Sequence, residues 1–167
     1  MNLAEEILKE HSKKQCDKIV KWIGSDRNKF NELFNLFLNG DNRTTQRAAW
    51  PLSYSAVIHP EFMNNNFERL INNLKKNGLH DSIKRNSVRV LQAVNIPEEY
   101  EGDVMELCFQ YLASPSVAVA IKASSLTVLN NLSKKYPEII SEIKLLIEEQ
   151  LPHQSAAFKS RAKVFMR

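Results

Sequence analysis

The chain has 167 residues, of which 43% are apolar and 25% charged, and a net charge of +4. That balance is the one of an ordinary folded domain with a sizeable core, not of a disordered or fibrous chain. No run approaches the roughly 18 apolar residues a bilayer-spanning helix needs, and the N-terminal MNLAEEILKEHSKKQ lacks the apolar core of a signal peptide, so a cytoplasmic location is expected. Cys16 and Cys108 lie far apart and outside any paired spacing, which predicts reduced, packed thiols.

In chain order the apolar residues recur at helical spacing throughout, and no strand-like alternation is present. A first helix is expected over 2–23, carrying Leu3, Ile7, Cys16, Ile19 and Ile23, with Gly24 as its stop. A second covers 27–39 through Phe30, Leu33, Phe34 and Phe37, and a third runs from an Asp41 or Thr44 cap to about His59, with Pro51 expected to kink it. The next is expected over 64–77 with Gly78 after it, and another starts at Asp81 or Ser82 with Ile83, Ser87, Val90 and Leu91 inward. After Pro97-Glu98 come a helix with Val104, Leu107, Cys108, Tyr111 and Leu112, and one capped by Ser114 with Pro115 at N1, facing inward on Val117, Ile121, Ser124, Ser125, Val128 and Leu132. The last two carry Ile140, Ile143, Leu146, Ile147 and Leu151, then, past Pro152, Phe158, Ala162 and Phe165.

These helices repeat. Pro-Glu pairs begin at Pro60, Pro97 and Pro137, and a basic residue near the start of each second helix recurs as Arg47, Arg85, Lys122 and Lys159, at intervals of 38, 37 and 37. A helix-turn-helix period of this length, opened by Pro-Glu, resembles HEAT repeats and, more loosely, their armadillo relatives. The turn Asp that precedes the basic residue by six positions in that pattern is matched by Asp41 and Arg47; Asp81 and Arg85 stand closer together, and Ser116 and His153 occupy the Asp position before Lys122 and Lys159. The resemblance implies an all-α fold: a right-handed α-α superhelix of about four helix pairs in one solenoid domain over 1–167. The repeats fall near 24–59, 60–96, 97–136 and 137–167, and 1–23 is the N-terminal capping helix. At the other end Phe158 and Phe165 are expected to leave one side open, which suggests a monomer or a weak homodimer through the C-terminal helix.

No catalytic constellation accompanies the repeat. His11, His59, His80 and His153 lack ligand spacing, the four glycines form no phosphate-binding loop, and neither a G-x-S-x-G nor an S-x-x-K motif occurs. Nothing matches the glycine- and serine-rich loop of the adenylosuccinate lyase superfamily. Adjacent Glu pairs point to different helix faces and are solvated surface. No cofactor or metal is expected, and the chain reads as no enzyme.

The resemblance implies instead a scaffold whose second helices line a shallow concave surface for a protein or peptide partner. Candidate contacts are Arg47, Arg85, Lys122 and Lys159, aligned at equal repeat positions as a ladder, with Arg89, Arg161 and Lys163 beside them and Trp50 and Tyr54 as aromatic anchors. The competing bland reading is that the basic column bonds turn carboxylates and carbonyls between repeats. The alternative partner is nucleic acid, since some HEAT-like solenoids are DNA glycosylases with a cationic face, aromatic residues and a catalytic Asp; no Asp can be placed beside Trp50 and Tyr54.

Overall fold

The computed structural model describes all 167 residues as ten α-helices with short 3-10 turns and no strand. None of the helices is long and apolar enough to cross a membrane. The chain divides into two compact units, Met1–Asn95 and Ile96–Arg167.

In the first unit, α1 (Leu3–Lys9) and α2 (Lys13–Ile23) replace the single helix expected over 2–23. Glu10 is extended, and the Ser12 hydroxyl accepts from the Gln15 N–H to start α2 afresh. The bend has a buried polar cause. The Glu6 carboxylate accepts from Lys9, from Gln15 Nε2 at 2.9 Å and from Lys18 Nζ at 2.7 Å. In a continuous helix Gln15 and Lys18 would stand about 13–18 Å from Glu6 along the axis at 1.5 Å per residue, beyond reach.

Helix α3 (Arg27–Asn39) is capped by Asp26 and buries Phe30, Leu33, Phe34 and Phe37. Helix α4 (Asn42–Ile58) begins where the Asp41 carboxylate accepts from the Thr44 N–H at 2.7 Å, and it runs through Pro51 without ending. Its small face, Ala48, Ala49, Ser53, Ser55 and Ala56, lets four neighbours approach: α4 packs against α1, α2, α3 and the α6 helix (Asp81–Ala93). Helix α5 (Phe67–Leu74) is shorter than the expected 64–77, preceded by a 3-10 turn over Pro60–Met63. Three successive Asn residues intervene, and Asn66 turns its amide back onto the Phe62 carbonyl at 2.9 Å, a local bond that competes with helix. Gly78, at φ +71°, makes the left-handed turn toward α6. Helix α6 starts at Asp81, one of the two expected positions, and its cap is His80, whose Nδ1 accepts from the Ser82 N–H at 3.1 Å.

The second unit opens with α7 (Glu98–Ala113), whose first turn carries Glu98, Glu99 and Glu101 at the positive end of the helix dipole. Helix α8 (Val119–Ser133) starts four residues after the Pro115 predicted for its first turn. Ser114 closes α7 instead, and its hydroxyl meets that of Ser116. Helix α8 is buried on most sides, between α7 and α10 (Ala156–Ala162), while α9 (Ile140–Gln150) packs on α7. Glu101 ties α7 to the end of α8, accepting from the Tyr136 hydroxyl at 2.5 Å and Lys135 Nζ at 2.9 Å. Phe158 and Phe165 are both buried, so the open aromatic face expected at the C-terminus is closed by the chain's own packing; Val164 and Met166 are exposed there instead. Burial lifts the Cys16 and Cys108 thiols to about 11 and about 12, which leaves both unreactive at neutral pH.

Candidate partner-binding groove

Trp50 and Tyr54 stand one turn apart on α4, and Arg85 and Arg89 one turn apart on the neighbouring α6. Side chains four residues apart share a helix face, so the two pairs meet across the α4–α6 contact. Gln46 extends the first row, Ser82 and Asn86 the second, and His11 reaches in from the bend between α1 and α2. The result is a groove of about 340 Å³ with aromatic, amide and cationic walls and no acidic side chain.

The interior of the groove is held by its own contacts. Ser53 Oγ donates to Asn86 Oδ1 at 3.1 Å, and Asn86 Nδ2 donates to the Ser82 carbonyl at 2.8 Å. The Arg89 guanidinium lies 5.0 Å from the centre of the Tyr54 ring and Lys13 Nζ lies 4.8 Å from it. The Arg89 guanidinium, and after it the Trp50 indole, beside the Tyr54 hydroxyl hold the phenol below its ordinary pKa. The His11 ring sits edge-on to Trp50 at 5.5 Å. Arg85 is exposed and makes no ion pair, hydrogen bond or ring contact.

The four residues of the basic column thus occupy four different settings. Arg47 is half-buried and its Nη1 donates to the Leu8 carbonyl at 2.7 Å, near the end of α1, while Asp41 is occupied with capping Thr44. Arg85 faces the groove. Lys122 is only 4% exposed and donates to Gln150 Oε1 at 2.8 Å, so as a surface contact it is corrected: it is an interior side chain. Burial lowers its pKa. Lys159 and Lys163 rim a separate hollow of about 510 Å³ floored by Leu151, Pro152, Ala162 and Met166, and Arg161 is half-buried.

Of the predicted contacts, the groove gathers Trp50, Tyr54, Arg85 and Arg89; Arg47, Lys122, Lys159, Arg161 and Lys163 lie outside it. Sequence reasoning missed His11, Gln46, Ser82 and Asn86. The spacing of Gln46, Trp50 and Tyr54 by four residues was a usable signal, whereas His11 enters only because the chain bends at Glu10–Ser12. No group of three or more His, Cys, Asp or Glu side chains is placed to hold a metal ion.

Sequential helices packed in pairs, α3 on α4 and α7 on α8, with no strand define a helical repeat architecture. A family model described as a HEAT repeat domain matches residues 3–166, and the chain belongs to the HEAT repeat family. No curated protein and no solved structure matches it.

Proposed function

We propose that the chain is a non-enzymatic interaction module that binds a protein partner through the groove of its first unit. The observation that carries this is the convergence of Trp50, Tyr54, Arg85 and His11 on one groove without an acidic side chain: rigid aromatic walls beside an unpaired guanidinium are the composition of protein-binding hot spots. The nucleic-acid reading is weaker on the same geometry. The Tyr54 ring already carries Lys13 and Arg89, so it is not a free stacking platform for bases. A glycosylase would also need a carboxylate at the groove, and none lines it.

The test is a capture experiment from native extract treated with nuclease, comparing the wild-type chain with Arg85→Glu and Gln46→Glu, both checked for helical circular dichroism. Retention of the same proteins with and without nuclease, and their loss in both folded variants, is expected. Retention abolished by nuclease, or unchanged by the variants, would overturn the reading.

A further inference from the structure

The polar groups lining the groove are not equally available. Asn86 is satisfied on both ends of its amide, Ser82 Oγ lies 2.9 Å from His80 Nδ1, and Arg89 is committed to Tyr54. Lys13, which also touches Tyr54, pairs with Asp17. Two side chains across the groove have no partner: the Arg85 guanidinium on α6 and the Gln46 amide on α4. Together they present a planar fork of N–H donors and one further amide donor beside the Trp50 ring.

We infer that the groove recognises a side-chain carboxylate of an acidic peptide segment, with Arg85 as its bidentate donor, Gln46 as a second donor and Trp50 as the apolar wall for the neighbouring residue. This rests on the partner-binding reading and names the chemistry of the partner. The fork of a guanidinium matches the two oxygens of a carboxylate, and the charge-assisted pair is about twice as strong as a neutral hydrogen bond. A nucleic-acid backbone is a poorer fit. It needs several unspent cations along a track and rings free for stacking, whereas here one guanidinium is unspent and the Tyr54 ring is covered. The Arg89–Tyr54 contact acts as a strut, fixing the wall against which the ligand lies, so Arg89 is a positioning residue.

The experiment titrates the ¹⁵N-labelled full chain with the blocked peptide Ac-Leu-Glu-Glu-Leu-amide and with its isosteric amide Ac-Leu-Gln-Gln-Leu-amide. The Arg85 Nε–H and Trp50 indole N–H cross-peaks are followed. The Glu peptide is expected to move both and to bind roughly tenfold more tightly than the Gln peptide, and Arg85→Lys, which keeps the charge and loses the fork, is expected to remove most of that difference. Equal shifts with both peptides overturn the carboxylate and leave a partner-binding groove standing. No shift at either cross-peak with either peptide up to about 10 mM, an affinity weaker than about 3 kcal/mol of binding, overturns both. A duplex DNA oligonucleotide that moves the same cross-peaks at lower concentration than the Glu peptide overturns the inference in favour of a phosphate backbone.

Discussion

The two units place the same repeat marker in opposite environments. In the first, Arg85 stands unpaired in a groove walled by α4; in the second, Lys122, at the equivalent repeat position, is buried against Gln150, whose own amide donates to the Leu112 carbonyl at 2.6 Å. A guanidinium is left available where α6 presents an exposed position to the groove, and an ammonium is absorbed where α8 is enclosed by α7 and α10. Equal register in a repeat therefore fixes which turn of which helix a residue occupies, and the neighbours decide whether it faces a ligand or the interior.

The glycines sharpen this contrast and give the largest expected effect. A Cβ on Gly40, at the turn between α3 and α4, would stand 2.6 Å from the Leu36 carbonyl oxygen and 2.7 Å from Thr44 Cγ2, so Gly40→Ala should destabilise the chain by about 1–3 kcal/mol in urea unfolding. Gly102, inside α7, has nothing near its missing Cβ, and Gly102→Ala should stabilise by about 0.5–1 kcal/mol. Equal responses at the two sites would break the comparison.

Next in size is Lys122. An interior ammonium held by a neutral amide costs desolvation that no counter-charge offsets, so Lys122→Met should raise stability by roughly 1 kcal/mol. The sign with pH follows from the lowered pKa. Between the folded value and the ordinary 10.5 the unfolded chain holds the extra proton, so stability rises as pH climbs through that interval, and the Met variant loses that rise. Thermal melts at pH 8 to 10.5 check both. Arg85→Met, by contrast, should change stability by no more than about 0.5 kcal/mol, as an exposed side chain without a partner.

The smallest effect is expected from the two helix-tying carboxylates. Hydrogen bonds from Lys18, Lys9 and Gln15 hold Glu6 at about 2, against an ordinary 4.5. Tyr136 and then Lys135 lower Glu101. A carboxylate with a depressed folded pKa adds stability that is complete above the ordinary value and disappears as pH falls through the folded one, so the Glu6 contribution drains between pH 4.5 and about 2. Lys9 and Lys18 are more than half exposed, which keeps this contribution modest and salt-sensitive. Acid titration of Glu6→Gln beside wild type should show a shallower loss below pH 4.5, and Glu101→Gln the corresponding change from the second unit.

Most of the helices were legible because each needs only local information: Asp41 before Thr44, the Phe30–Phe37 stripe and the Val104–Leu112 stripe carry their own period and caps. The misplaced boundaries are those set by long-range or competing bonds. Glu6 folds α1 onto α2, Asn66 shortens α5, and the Ser114–Ser116 contact delays α8. Half of the groove was legible for the same reason, since Trp50, Tyr54, Arg85 and Arg89 are pairs on single helices. His11 was not, because its place depends on the bend that Glu6 stabilises from the other side of the turn.

The sequence by itself determined that this is an all-helical repeat chain, since the period of the apolar residues and the recurrence of Pro-Glu and a basic residue are properties of the chain alone. The tertiary structure decided which of those basic residues is free. A charged side chain is shaped by what surrounds it in three dimensions: the Leu8 carbonyl takes Arg47, the Gln150 amide takes Lys122, Lys159 is left exposed at a separate hollow, and Arg85 is left facing the groove without a partner.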